Sequence, residues 1–166
     1  TSENGKAEVG GVLTDGGIFY LTKDVLSGDI NAGNTMVASE SVTLDLQKHT
    51  LESLNMGNFP YGSFTLKNGT LNQCVRSTAT KGKLILDGVT FGAACWEATN
   101  NSYLDITVQG ESVFKEKVSF SVVEGVVHLR GGTFEKGINT SNGAQPLALL
   151  DDGFAFQSDR GIVNAS

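Results

Sequence analysis

Apolar and polar positions alternate along the middle of the chain, and this alternation recurs in blocks. Each block has two apolar residues separated by one residue, at positions 44–46, 64–66, 84–86, 106–108 and 127–129. The second apolar residue recurs at steps of 20, 20, 22 and 21 residues. A third apolar residue follows each block, as Leu51, Leu71, Phe91, Phe114 (one residue late) and Phe134. Alternation of this kind is typical of β-strands, whereas an amphipathic helix needs apolar spacings of three and four.

Short strands that repeat about every 21 residues predict a coiled solenoid. A β-sandwich would give turns at a shorter spacing of about 8–12 residues. We therefore predict an all-β fold, a single-stranded parallel β-helix of about five to six turns, here called rungs. Residues 25–30 form the sixth rung, and glycines at 62, 82 and 125 mark rung corners. In this alignment Leu46, Leu66 and Leu86 are vertical neighbours, about 4.8 Å apart from one rung to the next.

The open ends of a solenoid expose core and strand edges, so we expect capping segments at both ends. The prediction is a single domain over residues 1–166, with an N-terminal cap at 1–24, rungs at 25–138, and a C-terminal cap and hairpin at 139–166. In the N-terminal cap, residues 9–13 and 18–22 form a hairpin around Asp15-Gly-Gly. At the C-terminus we predict a short helix over 146–152, begun by Pro146 and ended by Gly153. A last hairpin then joins residues 154–156 and 161–163.

Composition narrows the range of partners. The chain has 18 acidic residues against 12 basic ones and a net charge of −6, which argues against a nucleic-acid partner. No apolar run approaches the roughly 18 residues that a membrane span needs, so we expect no membrane insertion. The two cysteines form no CxxC motif, and we expect neither a metal site nor a cofactor. Because the sequence starts at Thr1 without a leader, we expect a mature fragment or a domain cut from a larger protein.

Several phrases of the repeat resemble a known family. They are VTLDLQKHTL at 42–51, FTLKNGTL at 64–71, LILDGVTF at 84–91 and GGTF at 131–134. These phrases are similar to the right-handed parallel β-helix repeats of pectate-lyase-like domains, above all the non-enzymatic modules of large bacterial surface proteins. The resemblance covers about residues 18–163 and implies the handedness and an extracellular or cell-surface location. It does not decide function, because the same fold occurs in lyases, hydrolases, adhesins and tail proteins.

The outward row Lys67, Asp87 and Arg130 is the most enzyme-like feature of the sequence. In enzymes of the resembled family, an outward groove carries calcium-binding carboxylates and a base that abstracts a proton. Acid–base chemistry needs such groups to converge, but Gln109 separates Arg130 from the other two. Opposite charges on neighbouring strands also form ordinary surface ladders. We therefore predict no catalytic residues.

Aromatic residues between the strands are the candidate binding residues. Phe59, Tyr61, Trp96 and Tyr103 present rings suited to stacking on sugars or anchoring a protein. The alternative is that these rings cover the edge of the core.

A disulfide is a further candidate feature. Cys74 and Cys95 are 21 residues apart, about one turn of the coil, which would bring their Cα atoms within bridging range. A strict 20-residue register places Ala94 over Cys74 instead, so a disulfide and two reduced core cysteines both remain open. His49 and His128 lie about four rungs apart and are interpreted as surface or corner residues.

Three functional hypotheses follow. The first is a non-catalytic structural and adhesive module of a secreted or cell-surface bacterial protein, displaying loops to a glycan or a host surface protein. The alternative is a polysaccharide lyase or hydrolase of the pectate-lyase-like fold. A further alternative is a phage-tail-like receptor-binding fragment, which differs mainly in being a trimer.

Overall fold

The structure is a computed structural model. It describes residues 17–31, 41–55, 62–73, 75–77, 82–92, 97–98, 104–116, 118–119, 126–136, 138–139, 147–150 and 162–163. All regular elements in these ranges are strands. They are β1 (Gly17–Tyr20), β2 (Val25–Asn31), β3 (Ser41–Asp45), β4 (Thr50–Asn55), β5 (Ser63–Leu71), β6 (Val75–Ser77), β7 (Gly82–Phe91), β8 (Glu97–Ala98), β9 (Leu104–Gln109), β10 (Val113–Phe114), β11 (Val118–Ser119), β12 (Val126–Leu129), β13 (Thr133–Phe134), β14 (Ile138–Asn139), β15 (Leu147–Leu150) and β16 (Ile162–Val163).

Strands from successive repeats pair side by side, and each described pair is parallel. The first ladder runs β1–β3–β5–β7–β9–β12–β15, using the N-terminal halves of β5 and β7. From β3 to β9 the chain makes about three turns of a parallel solenoid. The prediction of an all-β parallel solenoid is therefore confirmed.

A second ladder lies one corner further along each turn. It joins the start of β4, the C-terminal halves of β5 and β7, then β10 and β13. Beyond this ladder, β6 pairs with the end of β4 and with β8. A separate parallel sheet contains β11, β14 and β16.

The core is the inner face of these ladders. Leu66, Leu86 and Val108 occupy equivalent positions in three successive turns, and all are fully buried. In the second ladder the rings of Phe91, Phe114 and Phe134 stack, as described below. This burial follows from strand alternation, because every second side chain points to the same face of its strand. The predicted third apolar position is thus confirmed in full, with Leu51, Leu71, Phe91, Phe114 and Phe134 paired in that order.

The three rings form a continuous aromatic column. The centroid of Phe114 lies 4.6 Å from that of Phe91 and 4.9 Å from that of Phe134, with interplanar angles of 3° and 5°. Stacked rings at this separation attract each other beyond the gain from area burial. The column therefore ties three consecutive turns together on the inside.

The predicted register of the first repeat is wrong by two residues. Leu44, not Leu46, pairs with Leu66, while the predicted pairing of Leu66 with Leu86 is correct. The first turn carries two extra residues at its corner, where the backbone N–H of His49 donates to the carbonyl of Leu46 and closes a tight turn. Leu46 stays fully buried, because a shift of two residues in a strand returns a side chain to the same face.

The predicted C-terminal helix is also wrong. Residues 147–150 form β15, which pairs in parallel with β12, so Leu147 lies opposite Val126. In this position the four residues add a strand to the first ladder, and pairing of the whole segment outweighs the helix-start signal of Pro146. Of the predicted last hairpin, residues 162–163 form β16, parallel to β14. The arm at 154–156 lies outside the described residues.

The N-terminal strands join the coil. Residues 17–20, within the region predicted as a hairpin, form β1, which is parallel to β3. The other predicted arm, at 9–13, lies outside the described residues. β2, predicted as a sixth rung, pairs in parallel with β4 in the second ladder, with a register irregularity between Val25 and Asp29.

Candidate functional site

The turns change direction between the first and second ladders at a sharp corner, and the backbone there is left-handed. Asn68, Gly88 and Gly110 have φ values of 59°, 64° and 64°. Glycine and asparagine are the residues that adopt this conformation most readily. Because Lys67 pairs with Asp87 and Gly69 with Val89, Asn68 lies next to Gly88 on neighbouring turns. The sequence thus fixes the same bend in successive turns and stacks the bends along the solenoid axis.

The corner of the first turn is longer and is organised by Asp45. Its Oδ1 accepts a hydrogen bond from the backbone N–H of Gln47 at 3.0 Å, and its Oδ2 accepts one from Asn68 Nδ2 at 3.2 Å. Lys67 Nζ lies 3.6 Å from the same Oδ2. Asp45 is only 6% exposed, so these donors supply the compensation that a buried carboxylate needs.

A groove of about 800 Å³ follows these corners on the outside of the solenoid. We call it the corner groove, and its described lining is polar apart from two glycines: Asp45, Gln47, Lys48, Asn68, Gly69, Thr70, Asp87, Gly88, Thr90 and Glu111. The lining comes from four consecutive turns, so the groove runs along the axis rather than around it. Such a groove can present several equivalent hydrogen-bonding groups to an elongated ligand.

The enzyme-like row predicted from the sequence is partly assembled. Lys67 and Asp87 are direct neighbours in the first ladder, as predicted, and Asp45 pairs with Lys67 on the turn before. Asp87 Oδ2 accepts a hydrogen bond from Gln109 Nε2 at 3.1 Å. The backbone N–H of Arg130 donates to Val108, which places Arg130 one turn beyond Gln109. Within the row, side-chain contacts therefore join neighbouring turns from Lys67 to Asp45 and from Gln109 to Asp87.

Similar contacts link turns elsewhere on the surface. Glu52 accepts hydrogen bonds from Asn72 Nδ2 at 3.0 Å and from Gln73 Nε2 at 2.6 Å. Lys136 Nζ lies 2.6 Å from Glu116 Oε1, one turn away. Exposed pairs of this kind contribute about 0–1 kcal/mol each. They align the turns more than they stabilise the fold.

His49 lies at the first corner, as the sequence predicts, and contacts Asp24. Its Nδ1 is 3.2 Å from Asp24 Oδ1, which also accepts a hydrogen bond from the backbone N–H of Thr50 at 2.8 Å. The hydrogen bond from Thr50 is the main reason that the pKa of Asp24 lies below its ordinary value, with His49 contributing in the same direction. This pair fastens the loop after β1 to the start of β4. His128 lies on β12 in the first ladder, whereas His49 lies at the corner before β4. The two histidines therefore occupy different positions of the repeat.

The remaining predicted site residues lie outside the described residues. They are the aromatic candidates Phe59, Tyr61, Trp96 and Tyr103 and the disulfide candidates Cys74 and Cys95. Their roles stay predictions.

Two features were missed by the sequence reasoning. The corner groove is one, although the threonines at 70 and 90 gave a signal as an outward column of the repeat. The other is Ser112, which is fully buried and joins two turns. Its Oγ accepts a hydrogen bond from the backbone N–H of Val89 at 3.2 Å and donates one to the carbonyl of Gln109 at 2.8 Å. In the sequence, Phe114 follows its block one residue later than the equivalent residues of the other turns. This spacing indicated an extra residue at the corner that contains Ser112.

Comparison with known proteins adds no relative. No family model, no curated protein and no solved structure matches the chain. Within the described ranges, no three His, Cys, Asp or Glu side chains are grouped so that they could hold a metal ion. The part of the chain that the structure describes contains no helix long and apolar enough to span a bilayer.

Proposed function

We propose that this chain is a non-catalytic structural and adhesive module of a secreted or cell-surface bacterial protein. The module is a β-solenoid of about five to six rungs with capping segments at both ends, and it resembles the pectate-lyase-like repeats of bacterial surface proteins. Its work is to hold outward side chains and inter-strand loops at fixed positions for a glycan or a host surface protein. The parallel solenoid and the contacts between its turns support this proposal.

The observation that carries the proposal is that charged residues of the outward row contact residues of neighbouring turns. Lys67 contacts Asp45, and Asp87 accepts a hydrogen bond from Gln109, so both groups link neighbouring turns. A general base must instead face the proton that it removes, with its partners converging on one point. Contacts that run from turn to turn suit alignment and display.

Display requires a rigid scaffold, and two sets of interactions supply it. Backbone hydrogen bonds join each turn to the next along both ladders, and the column of Phe91, Phe114 and Phe134 fills the interior. Interiors packed in this way resist deformation. Loops attached to such a framework keep their spacing, which reduces the entropy lost when a partner binds.

Two assays on the same sample test the proposal. The first follows cleavage of acidic polysaccharides in the presence of calcium, and the second screens immobilised glycans and mucosal proteins for binding. We expect binding without cleavage. Cleavage that disappears in the double variant Lys67→Ala with Asp87→Ala would contradict the proposal and favour a polysaccharide lyase. The matched control is Lys83→Ala, an exposed lysine at the start of β7 outside the row.

The further hypothesis of a phage-tail-like fragment makes a different prediction about assembly. Light scattering after size-exclusion chromatography gives the mass of the particle in solution. A stable trimer would favour the tail-like fragment over a surface module.

A further inference from the structure

We propose that the corner groove binds a linear glycan that is neutral or carries amino sugars, with its chain lying along the solenoid axis. This inference rests on the adhesive role proposed above and assigns it to a definite surface. It places the site at the corners of the turns and builds it from residues other than the aromatic ones predicted from the sequence.

The length and direction of the groove favour an elongated ligand. Its lining extends from the first corner at Gln47 to Glu111 three turns later. Successive turns are about 4.8 Å apart, and a pyranose ring advances an extended chain by a similar distance. Equivalent groups on successive turns can therefore meet equivalent groups on successive sugars.

The polar groups of the groove suit a polyol. Thr70 and Thr90 pair with each other on neighbouring strands and place two hydroxyl groups one turn apart. A hydroxyl or a side-chain amide such as Gln47 both donates and accepts, which matches the mixed character of sugar hydroxyls. The described lining contains no aromatic residue and no residue with a wholly aliphatic side chain, so hydrogen-bonding side chains distinguish this surface.

A glycine at one corner, Gly88, keeps the groove open. A Cβ placed on Gly88 would meet no atom nearer than Asn68 Oδ1, at 3.7 Å. The backbone at Gly88 is therefore bordered by free space on the groove side, and a ligand can approach it closely. The left-handed φ of 64° also restricts this position to residues such as glycine or asparagine.

Charge decides which glycans fit. The lining contains three carboxylates, Asp45, Asp87 and Glu111, and one lysine, Lys48. Asp45 is buried and pairs with Lys67, so Asp87 and Glu111 are the carboxylates that meet a ligand. A polyanion such as a polyuronate would be repelled, whereas an amino sugar would be attracted, since unlike charges lower the energy of a partly desolvated site. The groove thus predicts a preference opposite to that of an enzyme acting on acidic polysaccharides.

The test compares three soluble oligosaccharides of equal length by isothermal titration calorimetry at two salt concentrations. The probes are a glucosamine oligomer, an N-acetylglucosamine oligomer and a galacturonate oligomer. We expect the first to bind most tightly, the second more weakly, and the third not at all. Salt should weaken binding of the glucosamine oligomer and leave that of the neutral oligomer nearly unchanged.

Three variants locate the site. Thr90→Val removes one hydroxyl with little change of shape and should weaken both the cationic and the neutral oligomer about 2- to 10-fold. Glu111→Lys reverses one exposed charge and should weaken the glucosamine oligomer by about 5-fold or more at low salt. Thr107→Val is the matched control, because this half-buried threonine on β9 lies outside the described lining of the groove. It should leave all affinities unchanged.

The outcomes separate this inference from the proposed function. Binding of none of the three oligomers, equal binding of the galacturonate oligomer, or an equal loss in Thr107→Val would overturn the groove assignment. Binding that is unchanged in both groove variants overturns it too, while leaving an adhesive module that uses other residues. Cleavage of any oligomer would overturn the proposed function itself.

Discussion

The aromatic column makes the strongest prediction about stability. Phe114 is the central ring, 2% exposed, with a parallel ring on each side. Replacing a buried phenylalanine with alanine costs about 3–5 kcal/mol. Each stacked pair adds about 0.5–1.5 kcal/mol beyond area burial, and Phe114→Ala loses two such pairs. We therefore expect the upper part of the range, about 4–5 kcal/mol, a large share of the 5–15 kcal/mol typical of a domain.

Two control variants separate ring stacking from volume. Phe114→Leu keeps most of the buried volume, and Leu71 already occupies the equivalent position next to Phe91 in the second ladder. We therefore expect a loss of only about 1–2 kcal/mol. Val113→Thr changes the neighbouring outward side chain of β10 and should cost less than about 1 kcal/mol.

Urea unfolding followed by far-ultraviolet circular dichroism gives the three free energies. Solenoids do not always unfold in one step, so the slope of free energy against urea must agree among the variants before they are compared. The packing argument is refuted if Phe114→Ala destabilises the protein no more than Val113→Thr does.

Three further changes test other parts of the structure. Ser112→Ala should destabilise the fold by about 1–3 kcal/mol in urea unfolding, because the backbone N–H of Val89 loses its buried acceptor; an unchanged midpoint would contradict this. Gly69→Ala should cost about 1–3 kcal/mol or more, since its Cβ would overlap that of Leu46; a thermal melt equal to the wild type would rule out this close approach. The lowered pKa of Asp24 means that its carboxylate stabilises the fold above the ordinary value of 3.8 and loses this effect as pH falls through the folded-state pKa. The stability gap between wild type and Asp24→Asn, measured by urea unfolding from neutral to strongly acidic pH, should therefore shrink at low pH, and a gap independent of pH would contradict the contact with Thr50.

The fold was predictable because every second side chain along a strand is buried. Blocks of alternating apolar residues that recur about every 21 residues require strands that share one interior. The pairs Leu66–Leu86 and Phe91–Phe114 follow directly from that pattern. The same alternation explains why the predicted pairing of Leu46 with Leu66 was wrong. A register shift of two residues keeps the same side chains buried and leaves the apolar pattern unchanged.

The candidate site was less accessible from the sequence. The corner groove depends on where the left-handed residues Asn68 and Gly88 turn the chain, and on the extra corner residues near Gln47. Composition does not encode these positions, because asparagine and glycine occur in many kinds of turn. The segment at 147–150 illustrates the other limit, since pairing with β12 from an earlier turn overrides a local helix signal.

The pairing of consecutive turns is the claim on which the rest depends, and nuclear Overhauser contacts between backbone protons test it most directly. In a parallel solenoid, β5 lies between β3 and β7, so Leu66 should show inter-strand contacts to the neighbourhood of Leu44 on one side and Leu86 on the other. Short contacts between facing Hα protons, typical of antiparallel pairs, would contradict the parallel coil. Contacts from Leu66 to the neighbourhood of Leu46 in place of Leu44 would contradict the register of the first turn.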